Sequence, residues 1–248
     1  MTQASVVHVL FADPATLLRG DARVGACLDT ADREHVARFR FARDREVAMA
    51  SRILQRLALS RAAMDPDLGP ETLRFAADAS GRPHVVAPAS MRPWQFSASN
   101  TIGLVACAVF AHGRIGMDVE RMRDEVPEDL VAHCCTPGER AELARCHGRE
   151  RGARFTVLWA RKEAYLKARG IGLALAPSTI GFSQGPGSNL RIVDAEEEGA
   201  DDWQVIPLDA GNDHAAALCL PSSACPPAIE LAWAYWHDDR IAFAATRP

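Results

Sequence analysis

Apolar and polar positions along the chain fall into a sequence of short periodic segments. Val6–Phe11 is an unbroken apolar run closed by Asp13-Pro14, and it predicts a buried strand. From Asp32 to Ala63 apolar residues recur at helical spacing among Arg, Ala, Leu and Glu, which predicts two helices meeting around Phe39–Phe41. Met64–Pro70, with two prolines and a glycine, ends that region. Leu73–Phe75 and His84–Val86 predict short strands on either side of the turn Gly81-Arg82-Pro83. Trp94–Ser97, Gly103–Phe110 and Ile115–Glu120 predict three more, with His112-Gly113 as a hairpin turn.

Beyond Gly113 the plan repeats in outline. Thr136-Pro137-Gly138-Glu139 has the signature of a capping box with proline at the first helical position, and a helix to about His147 follows. A long helix is expected over Gly152–Arg169, closed by Gly170 in a left-handed cap. Strands are expected near Thr179–Phe182, Leu190–Val193, Trp203–Ile206, Ala215–Leu220 and Glu230–Trp236, and the acidic run Asp194–Asp202 reads as a solvated loop.

Composition narrows the classes. The 248 residues allow one large domain or two small ones. A net charge of −4 offers no general attraction to nucleic acid or acidic membranes, so neither is expected as a partner. The seven cysteines are scattered, odd in number and without CxxC spacing, which points to reduced thiols in a cytoplasmic protein. The first residues lack the basic start of a signal peptide, and no apolar run reaches the roughly 20 residues that span a bilayer.

Two segments carry candidate chemistry. In GRIGMDVERMR, Gly113–Arg123, strand alternation puts Asp118 and Glu120 on one face. In FTVLWARKEAYLKARGIGL, Phe155–Leu173, helical geometry stacks Glu163 and Lys167. Each has an ordinary reading: a solvated strand edge for the first, and for the second a helix ion pair worth roughly 0.2–0.5 kcal/mol. Converging in one cleft, three carboxylates and a lysine suit a magnesium ion holding a pyrophosphate.

The joint pattern resembles the signature of the Sfp-type 4'-phosphopantetheinyl transferases. Gly116, Asp118 and Glu120 fill the first family motif; Trp159, Lys162, Glu163, Ala164, Lys167, Gly170, Gly172 and Leu173 fill the second. The resemblance runs from Arg38 to Leu173 and fades after Thr179. It implies an α/β (α+β) fold of two similar halves related by a pseudo-two-fold axis. Residues 1–112 would bind the nucleotide end of coenzyme A, and 113–248 would carry the magnesium and catalytic residues. It implies transfer of 4'-phosphopantetheine from coenzyme A to a serine of an acyl or peptidyl carrier protein, with release of 3',5'-ADP.

By the same resemblance Asp118, Glu120 and Glu163 are expected to hold magnesium, Glu163 or a metal-bound water to act as base, and Lys167 to bind phosphate and donate toward the leaving group. Lys162 is a further phosphate candidate, and Trp159 a packing residue. Arg82, in Gly81-Arg82-Pro83, matches a phosphate-binding position. The segment Phe96–Thr101, FSASNT, with Ser99 and Asn100, occupies a coenzyme A motif but departs from it. Ser97 replaces the usual asparagine, and Asn100 replaces a histidine that holds the 3'-phosphate. An amide can donate a hydrogen bond there but carries no charge. His35 and Arg38 align with a further phosphate cation. Arg149, Arg151, Arg154 and Arg161 are candidates for a basic rim that meets an acidic carrier protein. The chain length resembles broad-specificity members serving polyketide, peptide or fatty-acid synthases, and two halves in one chain imply a monomer.

Two other readings stand beside this one. A non-catalytic coenzyme A or carrier-protein binding module on the same fold is favoured only by the lost histidine. A metal-dependent nuclease or phosphatase lacks a second ligand cluster and a basic surplus.

Overall fold

The computed structural model describes residues 6–20, 24–79, 81–185, 187, 189–194, 202–223 and 227–248. The acidic run from 195 onward therefore lies largely outside the described residues. The chain is mixed α+β and divides into two compact units, 1–114 with 225–248, and 115–224.

The first unit is built on a five-stranded sheet in the order β12-β11-β1-β5-β4. These strands are β1 (Val6–Ala12), β4 (Gln95–Thr101), β5 (Leu104–Phe110), β11 (Ala228–His237) and β12 (Arg240–Ala244). β1 runs parallel to β11, and the other pairings are antiparallel. A short α1 (Pro14–Leu17) follows β1; α2 (Thr30–Ala37) then leads into α3 (Ala42–Ala63), which is 22 residues long. Ile53, Leu54 and Leu57 of α3 pack with Leu10, Phe96, Val105, Cys107 and Val109 of the sheet in one apolar core. A separate ribbon pairs β2 (Arg74–Ala77) with β3 (Pro83–Ala87).

The second unit has a fully antiparallel sheet in the order β6-β10-β9-β8-β7. Its strands are β6 (Gly116–Arg121), β7 (Ile180–Gln184), β8 (Leu190–Asp194), β9 (Trp203–Leu208) and β10 (His214–Pro221). Two short helices, α4 (Glu128–Cys134) and α5 (Pro137–Leu143), precede α6 (Gly148–Arg169), again of 22 residues. Ala160, Ala164, Tyr165 and Ala168 of α6 are buried with Ile192, Val205, Ala215, Ala217 and Cys219 of the sheet. The capping box at Thr136 and Glu139 is present in full, and Gly170 closes α6 at φ 70°, in the left-handed region that favours glycine.

Three expectations are corrected. Residues 225–248, read as part of the second half, return to the first unit, where β11 pairs with β1. The hairpin expected at His112-Gly113 does not form: β5 already pairs with β1 on one side and β4 on the other, so no edge is left for β6. The tight turn is Ile102-Gly103 instead, with Thr101 opposite Leu104 and Gly103 at φ 78°. Finally, α5 stops at Leu143 and α6 starts at Gly148, so Gly152 is interior to the helix rather than its boundary.

Candidate active site

In the second unit, the geometry starts from glycine. A Cβ on Gly116 would lie 1.9 Å from the Ala164 carbonyl oxygen and 2.4 Å from the Ala168 nitrogen. Only a residue without a side chain lets β6 cross α6 this closely. Strand alternation then directs Asp118 and Glu120 toward the same helix. Asp118 Oδ1 accepts a 2.7 Å hydrogen bond from Lys167 Nζ, and Glu120 Oε1 accepts a 3.0 Å bond from the Trp159 indole N–H. Four strand residues and nine helix residues both advance about 13 Å, so the elements stay in step although they run in opposite directions. At the far end a Cβ on Gly152 would lie 2.3 Å from the Arg123 carbonyl oxygen, while Thr156 Oγ1 accepts from the Arg123 N–H. Glycines thus mark both ends of the seam.

Cross-strand neighbours leave the carboxylates room. Asp118 is in register with Ala217, and Glu120 with Ala215; both alanines share the face packed against α6. Asp118 is only 3% exposed. Burial raises the Glu120 and Glu163 carboxyls above the usual carboxylate range, and the negative charge of Asp118 pushes both further the same way. The Trp159 bond and nearby cations oppose the shift at Glu120; Lys167 opposes it at Glu163.

The expected residues are therefore neighbours, but not as a finished metal cage. Among the described residues no three His, Cys, Asp or Glu side chains surround one point. Lys167 is bonded to Asp118 and Trp159 holds Glu120. The donor set is all carboxylate oxygen with surplus negative charge, the chemistry a hard divalent cation takes.

Lys162 departs from its expected role. It is 1% exposed, and its ammonium donates to the Cys134 carbonyl at 2.8 Å, the Pro177 carbonyl at 3.0 Å and Glu139 Oε2. Three N–H groups with three acceptors leave nothing for a phosphate. The lysine instead ties α6 to the end of α4, to the α5 capping box and to the segment before β7. Trp159, read as packing alone, also orients Glu120.

In the first unit, Gly81 at φ 82° completes a turn in which Asp78 accepts from the Arg82 N–H at 3.0 Å. Burial lowers the Arg82 pKa, as does the Arg114 guanidinium; Asp78 opposes. Arg114 is thus a neighbouring cation that sequence reading passed over. Ser99 and Asn100 are adjacent on β4 and face opposite sides: Ser99 is buried like Ser97, whereas Asn100 is exposed. The two side chains therefore leave the strand on opposite faces. His35 lies in the last turn of α2 with Arg38 at its cap. Burial lowers the His35 pKa, and Arg52 and Arg38 lower it further, so the fixed positive charge comes from the arginines.

The expected basic rim is largely neutralised. Arg149 lies 3.6 Å from Asp124, Arg151 2.7 Å from Glu128 and Arg154 3.1 Å from Glu150. Arg161 is partly buried, which lowers its pKa, with Glu139 opposing.

The sequence as a whole matches one family of known proteins. Residues 114–219 match the family described as the 4'-phosphopantetheinyl transferase superfamily, and residues 22–111 match 4'-phosphopantetheinyl transferase, N-terminal. Similar proteins include a phosphopantetheinyl transferase of Thraustochytrium sp., 29% identical over 74% of this chain and 66% of its own length. A 4'-phosphopantetheinyl transferase of Bacillus subtilis is 25% identical over 79% of this chain and 84% of its own. The match thus spans slightly less than two thirds of the Thraustochytrium protein. The solved Thermotoga maritima holo-[acyl-carrier-protein] synthase overlaps 43% of this chain and 61% of its own at 21% identity and TM-score 0.34, too loosely for any argument to rest on it. The chain belongs to the 4'-phosphopantetheinyl transferase superfamily.

Proposed function

We propose that this chain is an Sfp-type 4'-phosphopantetheinyl transferase, of the holo-[acyl-carrier-protein] synthase kind, which moves 4'-phosphopantetheine from coenzyme A to a serine of an acyl or peptidyl carrier protein and releases 3',5'-ADP. The observation that carries the reading is the seam in which Asp118 and Glu120 of β6 meet Trp159 and Lys167 of α6, with Glu163 on the same helix. Asp118, Glu120 and Glu163 would hold Mg2+, which when bound neutralises pyrophosphate charge. Glu163 takes the proton of the attacking serine hydroxyl. The new bond joins serine Oγ to the β-phosphorus as the bridging P–O bond breaks. Lys167 moves off Asp118 to contact the phosphates and donates a proton to the departing 3',5'-ADP.

Arg38, Arg82 and Asn100 of the first unit bind the nucleotide phosphates, with His35 contributing when protonated. The physiological carriers belong to polyketide, peptide or fatty-acid synthases, and the enzyme acts as a monomer. No described helix is long and apolar enough to cross a membrane. A cytoplasmic site of action is supported by the six cysteines among the described residues, all buried and free. Intact-mass measurement of an apo carrier protein with coenzyme A and magnesium tests the proposal. A gain of one phosphopantetheine is expected. Coenzyme A binding without any mass change would instead favour a non-catalytic binding module.

A further inference from the structure

In α3 a single arginine is completely buried. Arg56 is 0% exposed, and its guanidinium reaches acceptors on separate segments. Nε donates to Asp32 Oδ2 at 2.7 Å, and Nη2 lies 2.8 Å from Asp29 Oδ2 and 2.5 Å from Asp32 Oδ2. Nη1 donates to the Leu73 carbonyl at 2.7 Å and the Pro70 carbonyl at 3.1 Å. The plane sits 5.0 Å from the centre of the Phe75 ring, and Phe75 packs at 5.4 Å on Phe96.

These contacts are distributed in a telling way. Asp29 caps α2, and Asp32 lies in its first turn, so the guanidinium fixes the helix that ends in His35 and Arg38. Pro70 and Leu73 immediately precede β2, and Phe75 belongs to it; β2 pairs with β3, which begins beside Arg82. Phe96 belongs to β4, the strand of Asn100. One planar cation therefore holds α2 and the segment leading into β2 directly, and reaches β4 through Phe75 and Phe96. Apolar packing could fill the space, but it would not set a planar cation that bonds one carboxylate and two carbonyls and lies at ion-pair distance from a second carboxylate.

We propose that Arg56 is a positioning residue for the 3',5'-ADP end of the cosubstrate, setting the relative placement of His35 and Arg38, Arg82, and Asn100. The inference rests on the nucleotide-binding role proposed above for this unit. Arg56 touches no ligand itself. Its effect falls on binding and not on the reacting phosphorus, so it appears in KM for coenzyme A and leaves kcat largely unchanged.

The test uses the full chain and 3',5'-ADP as the calorimetric probe, beside turnover on a carrier protein. Arg56→Lys keeps the charge but gathers all its donors on one nitrogen, so it cannot reproduce the fork. Expected are about 10-fold weaker 3',5'-ADP binding and a similar rise in KM, with kcat within about 2-fold. Leu59→Ala, at a fully buried position of the same helix, serves as a control for general loosening. It should lower the melting temperature without moving KM. If Arg56→Lys melts early but keeps its KM, or if Leu59→Ala raises KM equally, the positioning role is wrong. If Arg56→Lys does not fold, Asp29→Asn answers the question, because asparagine still caps α2 but loses the charged Nη2 contact. A roughly 2- to 3-fold weaker affinity is then expected from the less firmly placed α2, and an unchanged affinity overturns the inference. A wild-type chain that binds no 3',5'-ADP removes the nucleotide-binding reading itself.

Discussion

The two long helices invite comparison. α3 and α6 are both 22 residues, both lie on five-stranded sheets, and both end in a left-handed cap, at Met64 and Gly170. Each also buries one cation almost completely, Arg56 in α3 and Lys162 in α6. The helices part company on the face turned to the sheet. Against α3 the strands present Leu10, Phe96, Val105 and Val109, a purely apolar layer. Against α6, strand β6 presents Gly116, Asp118 and Glu120. A buried cation is therefore a structural staple in both units. In the second unit a glycine brings a carboxylate-bearing strand onto the helix.

The comparison is broken most severely by removing a staple. Lys162→Met leaves Glu139, already bonded to the Thr136 N–H, without its cation in a largely buried place. A stability loss of about 3–5 kcal/mol is expected in denaturant unfolding, the range for breaking a buried ion pair. Adding Glu139→Gln should recover part of it. A loss below about 1 kcal/mol would mean that Lys162 is no counterpart of Arg56.

The close approach at Gly116 is the next most sensitive point. Gly116→Ala forces β6 away from the Ala164 carbonyl, at a cost of about 1–3 kcal/mol, as for other overpacked positions. Because the shift separates Asp118 from Lys167, turnover should fall further than stability alone explains. Equal stability in the two proteins would show that the crossing is looser than described.

A smaller effect sharpens the account of what Lys162 holds. Thr136→Ala removes the side-chain half of the α5 capping box and should cost about 1 kcal/mol. Turnover should change little, since α5 carries no residue of the seam. A large fall in turnover would extend the site beyond the two faces that meet there.

Much of this arrangement was legible in the sequence, for identifiable reasons. Helical spacing and the Arg, Ala, Leu and Glu content of 32–63, and the segment 152–169 closed by Gly170, made both long helices legible, and Thr136–Glu139 announced its cap. Strand and helix periods put Asp118 with Glu120, and Glu163 with Lys167, on shared faces; that the two faces belong together was implied by the family resemblance. Part of what escaped depends on contacts distant in sequence. Nothing near Gly152 reveals that the Arg123 carbonyl approaches it, so the glycine read as a helix boundary. β12 escaped because its turn places Asp238 and Asp239 at φ 45° and 60°, a job usually signalled by Asn-Gly. Lys162 looks like a phosphate ligand in its motif; only the convergence of Cys134, Glu139 and Pro177 shows its donors are taken. Ser99 and Asn100 were grouped by motif, although strand alternation alone already separates them.

The central claim is that the facing surfaces of β6 and α6 are the reaction site, and Asp118→Asn tests it most directly. The change keeps the shape of the side chain and removes the charge beside Lys167, which is 32% exposed and can be solvated instead. Transfer to an apo carrier protein, followed by intact mass, and the melting temperature are measured on one preparation. The account predicts a rate lowered by about 10³-fold or more, from the lost charge stabilisation, with melting within about 5 °C of the parent. A folded variant that modifies the carrier at near the parent rate would contradict it.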